Sequence, residues 1–392
     1  MRRKELNVDF ADTLKKLPPY LFAEIERLTQ EKRRAGVEVI SLSIGDPDLP
    51  PPQFILDALK GESSDPRNHN YSFSRGEAEF RQTVSEWMKA RFGVDVEPET
   101  EVAALIGSKE GIANIARAFV NPGDRVLVPD PAYPVYANGG ALLCRGIPIP
   151  MPLLEENQFL PDLSRMADAK AKMMFLNYPN NPTSAVSNRR FLKEAVDFAS
   201  ENNIILCYDN AYSEITYGGY KSSSILEEEG SMDVAIEFHS FSKTFNMTGD
   251  RIAFAVGNRK LVEGLTKVKS QIDSGPSKYV QRVAIRGLRS YRGSEPPQFL
   301  REINETYQRR AEVLVEGLKK ASLDCKMPKA TFYVWAKCGG NSMEYARKLI
   351  DVGVIATPGI GFGKYGEGYI RFAVTQPVEY IEKACERILK IQ

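Results

Sequence analysis

From about Glu101 to Arg251 the chain alternates short apolar runs with longer stretches of helical periodicity. The runs are residues 102–106, 125–128, 173–176, 204–208 and 234–236. Each has the length and apolar, often β-branched content of a buried strand, and the helical stretches between them suit crossover connections. The pattern predicts an α/β fold with a mainly parallel sheet covered by helices. Each run ends in a polar cluster: 107–111, 129–134, 177–183, 209–212 and 240–251. Open α/β sheets hold their ligands outside the carboxyl ends of the strands. Five such clusters on one face form a site.

After Gly275 the pattern changes to long helical stretches, 278–291 and 298–318, broken by Gly293-Ser294-Glu295-Pro296-Pro297. The later runs 331–335 and 368–374 read as strands of a small α+β domain. Near the start, 22–35 is amphipathic and precedes the stiff connector Pro47-Asp48-Leu49-Pro50-Pro51-Pro52. The expected division is therefore 1–45, an arm that packs with the C-terminal domain; 46–276, the large domain; and 277–392, the small one.

Length and charge narrow the function. At 392 residues the chain exceeds what one core usually supports. Basic and acidic residues balance at 52 and 51, with no basic stripe, so nucleic acid is not an expected partner. The basic start Met1-Arg2-Arg3-Lys4 has no apolar segment behind it, and no stretch approaches the ~20 apolar residues that span a bilayer. A cytoplasmic enzyme without membrane contact is expected. The five cysteines are scattered and the two histidines, His69 and His239, lack companions at ligand spacing, which argues for reduced thiols and against a zinc site.

Lys243 is the candidate nucleophile. It lies in Ser240-Phe241-Ser242-Lys243-Thr244-Phe245-Asn246-Met247-Thr248-Gly249-Asp250-Arg251, just past a strand end, with two hydroxyls before it and an arginine eight residues after. An amine partly desolvated there and near Arg251 has a lowered pKa and attacks aldehydes. The implied chemistry is a Schiff base with a phosphate-bearing aldehyde. Gly107-Ser108-Lys109 passes from a strand into a helix, whose amides and dipole suit a phosphate; Ser240, Ser242 and Arg251 add hydroxyls and a positive fork. Asp209 follows an apolar strand, where a carboxylate is costly unless it meets a cation or donors. Asp209 is then either an N-cap or loop salt bridge or, if the aldehyde sits on a pyridine ring, the group that holds the ring nitrogen protonated. Tyr212 and Asn181 can then reach the ring hydroxyl, and Tyr133 either stacks on the ring or is only a packed aromatic.

These clusters, in this order, resemble the fold-type I pyridoxal-phosphate enzymes of the class I/II aminotransferase group over nearly the whole chain. The resemblance implies a seven-stranded, mainly parallel sheet and pyridoxal 5'-phosphate held by Ser108, Lys109, Tyr133, Asn181, Asp209, Tyr212, Ser240, Ser242 and Arg251. Lys243 would be the Schiff-base lysine. The stretch Tyr71-Ser72-Phe73-Ser74-Arg75-Gly76 is similar to one whose tyrosine reaches the phosphate of a neighbouring subunit, implying a homodimer that shares its active sites. Arg371 matches the arginine that grips the substrate carboxylate, and Gly45 a backbone contact to it. Pro18-Pro19-Tyr20-Leu21-Phe22, Gly107-Ser108-Lys109-Glu110-Gly111-Ile112 and Asp273-Ser274-Gly275 look most like the LL-diaminopimelate aminotransferases, which would make Tyr20 and Lys109, with Tyr133 and Asn181, substrate contacts. Aspartate or another amino acid stays open as donor, with 2-oxoglutarate as acceptor. A β-eliminating enzyme and a non-catalytic regulator are the weaker alternatives.

Overall fold

The computed structural model describes residues 6–18 and 21–391. All five predicted runs form strands of one sheet, and two further strands join them: β1 (Val102–Leu105), β2 (Arg125–Asp130), β3 (Ile147–Pro152), β4 (Met173–Asn177), β5 (Ile205–Asp209), β6 (Ala235–Ser240) and β7 (Ala253–Gly257). Their order is β1-β7-β6-β5-β4-β2-β3. Only β7 runs antiparallel to its neighbours, β1 and β6; the other pairs are parallel.

Alternation along each strand sorts side chains to two apolar layers. Leu127, Met174, Leu176, Leu206 and Tyr208 join one layer, which is closed by the helices Gln53–Ser63, Ala78–Phe92 and Arg189–Glu201. Val126, Met173, Phe175, Cys207 and Ile236 join the other, beneath Ser108–Phe119 and Arg259–Lys269. Helices thus sandwich the sheet as the pattern requires.

The two edges are blunted differently. At β1, Ala104 donates its N–H to the carbonyl of Arg75 at 2.8 Å, so a loop covers the rim. At β3, Ile147 and Leu153 donate to Asp124 and Asp130, each at 2.8 Å, so odd positions face β2. The outward positions 148, 150 and 152 are all proline.

The second sheet is antiparallel: Thr357–Pro358, Tyr369–Ala373, Tyr333–Lys337 and Asp324–Cys325, in that order. Residues 25–41 join this body. Ile40–Ser41 pairs with Val354–Ile355, and from the helix Leu21–Arg34 Ile25 packs on Ile350 and Ile355. The change of pattern after Gly275 pointed to a C-terminal domain from residue 277. The helix Lys278–Leu288 instead buries Val280, Val283, Ala284, Ile285 and Leu288 in a layer of the large sheet. Its apolar face simply met the nearer core. Among the described residues no helix is long and apolar enough to cross a membrane, and no cluster of three or more ligand-type side chains suits a metal ion.

One buried ion pair ties the helical layer to the chain leaving β5. Arg91 sets its Nε 3.1 Å from Glu214 Oε1; Tyr291 donates its hydroxyl to Oε2 at 2.9 Å, and Asn304 donates to the Glu214 carbonyl at 2.8 Å. The Arg91 and Glu214 side chains are 10% and 3% exposed. Removing one partner of such a pair strands a buried charge. Arg91→Met should therefore lower unfolding free energy by about 3–5 kcal/mol in denaturant titration, and Arg91→Met/Glu214→Gln should recover most of the loss.

Candidate active site

β5 and β6 end side by side, Asp209 opposite Phe238. Their carboxyl ends deliver Asp209 directly and Lys243 from the short helix Phe241–Thr244. Lys243 Nζ donates to the Gly45 carbonyl at 3.0 Å and lies 5.5 Å from the Phe332 ring centre. Burial brings its pKa down to about 8; nearby Arg371 and Arg251 push the same way, while Asp46 and Asp209 oppose them. A neutral amine is thus accessible near neutrality. Asp209 is displaced in the other direction, to about 6, chiefly by burial. The Tyr136 hydroxyl donates to its Oδ2 at 2.7 Å and the Ala211 N–H to Oδ1 at 3.3 Å, both restoring the charged form. A carboxylate left this dry is stabilised further by a protonated heterocyclic nitrogen.

The segment 42–45 crosses between the two sheets, and all four of its carbonyls are taken. Ala373 N–H donates to Leu42 at 2.6 Å. Arg371 Nη2 and the Thr357 hydroxyl donate to Ser43 at 2.7 and 3.1 Å, and the Thr375 hydroxyl to Ile44 at 2.9 Å. Lys243 takes the fourth, Gly45. Beyond it, Arg310 clamps Asp48 with two bonds of 2.7 and 2.9 Å. A side chain at Gly45 would collide with the Tyr333 hydroxyl, so only glycine lets this backbone lie against the small sheet.

Arg371 sits in Tyr369–Ala373 and is 4% exposed. Its guanidinium lies between the rings of Tyr333 and Phe362, 4.2 and 4.6 Å from their centres. Nη1 donates to Asn181 Oδ1 at 2.7 Å. Nε is buried without an acceptor. An unmet donor on a fixed planar fork is what a carboxylate ligand completes. Asn181 is itself held by Asn177, whose Oδ1 accepts the Asn181 N–H at 2.8 Å. Ser184, at φ 57°, fastens the same loop to the small sheet through Thr331 Oγ1 at 2.7 Å and the Tyr333 carbonyl at 2.8 Å.

A candidate anion site lies where β1 turns into the helix Ser108–Phe119. Gly107 caps that helix at φ 135°, and a Cβ there would strike Arg251 Nη2. Glycine is what allows the guanidinium to reach the helix N-terminus, and the exposed Arg251, itself at φ 60°, donates Nη1 to the Thr248 carbonyl at 2.8 Å. Lys109 holds its ammonium 5.7 Å from the Tyr133 ring centre. Ser240 and Ser242 are buried at the end of β6. Amides, hydroxyls and two cations form a donor set that fits a phosphate monoester.

Of the predicted site residues, hydrogen bonds and ring contacts link Lys243, Asn181, Tyr212, Arg371 and Gly45 through Tyr333 and the 42–45 segment. Tyr212 shares a hydroxyl contact of 3.1 Å with Tyr333, and Tyr133 meets Tyr136 edge-on at 6.1 Å. Tyr71 is 88% exposed, so it does not line this chain's own site. Tyr20 lies outside the described residues. Tyr136 and Tyr333 were not anticipated. Tyr136 stands three residues after Tyr133, a spacing that puts both on one side of a helical turn; Tyr333 carries no local sign, because its partners lie 38 to 288 residues away in the chain.

Comparison with known proteins places this geometry. A family model described as "Aminotransferase class I and II" matches residues 37–388. An LL-diaminopimelate aminotransferase of Aquifex aeolicus is 50% identical over 390 residues, 98% of this chain and 99% of that protein. One from Moorella thermoacetica is 47% identical, covering 97% and 98%. Among solved structures, substrate-bound BacF from Bacillus subtilis superposes with a TM-score of 0.91 at 35% identity, covering 98% of both chains. A mutant aspartate aminotransferase of Thermus thermophilus gives 0.91 at 26%, covering 98% and 100%. Matched along nearly its whole length by family, relatives and fold, the chain belongs to the class I and II aminotransferases.

Proposed function

We propose that this enzyme moves the α-amino group of LL-diaminopimelate to 2-oxoglutarate in a ping-pong cycle, with pyridoxal 5'-phosphate as cofactor. The reaction rests on one observation: a lysine of lowered pKa and a buried arginine with an unmet N–H grip the same backbone segment, at Gly45 and Ser43. The relatives supply the substrate. Bound pyridoxal phosphate supplies an electron sink that makes the α-hydrogen of an amino acid acidic.

The residues divide the remaining work. Ser108, Lys109, Ser240, Ser242 and Arg251 hold the phosphate, Asp209 keeps the ring nitrogen protonated, Tyr212 and Asn181 donate to the ring hydroxyl, and Tyr133 covers a ring face. Arg371 takes the substrate carboxylate, whose oxygens meet the buried Nε–H, and so aims the Cα–H bond at Lys243. Lys243 Nζ, free of the Gly45 carbonyl, would accept that proton from Cα and give it up to the bound cofactor, so that the donor departs as its keto acid and its amino group stays on the enzyme. The second half-reaction runs the same steps backwards on the keto acid.

The assembly is read in the same way. Leu6, Val8, Phe10, Tyr71 and Phe73 are each more than 70% exposed, which supports a homodimer that covers them and carries Tyr71 to the neighbouring site. The free thiols of Cys144, Cys207, Cys325, Cys338 and Cys385 suit the reducing cytoplasm. We divide the chain into an arm of 1–45, a large unit from 46 and a small C-terminal unit, with the Lys278–Leu288 helix assigned to the large one.

Three results are expected. In a panel of amino donors assayed with 2-oxoglutarate, LL-diaminopimelate gives glutamate with the highest kcat/KM; turnover of aspartate with none of LL-diaminopimelate would sink the substrate. Arg371→Lys, which loses the bidentate fork, raises KM for the donor and lowers kcat/KM by about 100-fold while cofactor absorbance is unchanged. Loading of apoenzyme followed by absorbance depends on the neutral Lys243 amine. Its rate constant therefore climbs about tenfold per pH unit below 8 and levels off above, because the folded pKa is depressed from 10.5 to about 8.

A further inference from the structure

Lys269 is wholly buried, and no step above employs it. It ends the helix Arg259–Lys269. Its ammonium stands between two carboxylates, 3.0 Å from Glu110 Oε2 and 3.0 and 3.1 Å from the oxygens of Asp273. One carboxylate would balance the charge. The second makes the lysine a bridge between the start of the helix Ser108–Phe119 and the segment that follows Lys269.

The Glu110 end lies at the start of the helix Ser108–Phe119. Glu110 is the third residue of Ser108–Phe119. Its Oε2 also accepts the Ile106 N–H at 3.2 Å, and its Oε1 accepts from Asn114 Nδ2 at 2.6 Å. The carboxylate therefore spans the turn 106–110, whose amides open the helix. The Asp273 end lies against the loop 71–77. Asp273 Oδ1 accepts the Gly275 N–H at 2.7 Å, and its carbonyl accepts from the Ser74 hydroxyl at 3.4 Å. Gly275, at φ 82°, lies so close to the Phe73 carbonyl that a Cβ would sit 2.6 Å from it. Gln281, also fully buried, holds the far side by donating to Ser72 Oγ and the Pro276 carbonyl, each at 2.8 Å, and accepting the Glu77 N–H at 2.7 Å.

We propose that Lys269 is a positioning residue for the phosphate of the cofactor: by joining Glu110 to Asp273 it sets the turn 106–110 against the loops 71–77 and 270–276. This rests on the reading that the Gly107–Lys109 turn holds a phosphate. Burial of an ammonium with two hydrogen-bonded acids holds the helix start in one place, where displacement of the amides by an ångström is costly to an oriented ligand.

The test titrates pyridoxal 5'-phosphate and unphosphorylated pyridoxal, by absorbance, into apoenzyme of the wild type, Lys269→Met and Lys269→Met/Glu110→Gln/Asp273→Asn. The single variant leaves two partly buried acids, 14% and 16% exposed, without a cation and loses thermal stability. The triple variant is neutral there, regains stability, and serves alone if the single variant does not fold. Expected is weakening of pyridoxal phosphate by at least ~10-fold in both variants, with pyridoxal affinity within ~2-fold of wild type. Recovery of wild-type affinity for pyridoxal phosphate in the triple variant would reduce Lys269 to charge balance and overturn the proposal. So would an equal loss for both ligands. Wild-type protein that binds the two ligands equally well would overturn the phosphate reading itself, a result separate from any that involves the variants.

Discussion

Four consecutive carbonyls, from Leu42 to Gly45, are each claimed by a different group, and Arg371 and Lys243 take the second and the fourth. Arg371 comes from the small sheet and Lys243 from the large one, so this stretch of backbone is where the two bodies measure their distance from each other. A carbonyl ladder does this well because its acceptors repeat at a fixed spacing and cannot rotate independently. Arg310 pins the far end through Asp48, and Gly45 permits the close passage past Tyr333.

Around that ladder, removal of water does opposite things to opposite charges. It weakens the proton's hold on Lys243 and strengthens it on Asp209. Neither displacement favours folding, since each makes the charged form costlier than it is in the unfolded chain. The cost is tolerable because neighbours are fixed: Tyr136 on Asp209, Tyr333 against Arg371, Asn177 beneath Asn181. Arg251, Ser184 and Thr331 even hold left-handed backbone without being glycine, conformations that persist only where surrounding contacts dictate them.

Much of this was legible in the chain alone. The five buried strands announced themselves because a covered parallel sheet demands continuous apolar runs, and the polar clusters at their ends located Lys243, Asp209, Asn181 and the Gly107 turn. Two strands escaped. Ile147–Pro152 alternates proline with apolar residues and reads as a loop; Ala253–Gly257 is short and begins two residues after Arg251. What had no local mark was everything made by distant pairing. Arg91 meets Glu214 across 123 positions and Lys269 meets Glu110 across 159, and nothing near either lysine or arginine in the chain distinguishes it from a solvated one. The Lys278–Leu288 helix shows the same limit, because an amphipathic pattern tells that a face is buried and not which core receives it.

The three prolines on the outer side of β3 bear on the life of the enzyme among its own copies. An exposed sheet edge is a template for a foreign strand, and pairing there needs N–H donors at alternate positions. At 148, 150 and 152 those donors do not exist. With the Ala104 N–H of the opposite rim taken by the Arg75 carbonyl, both edges of the large sheet are blunted against strand pairing, which hinders the shortest route to aggregation of partly assembled or crowded molecules.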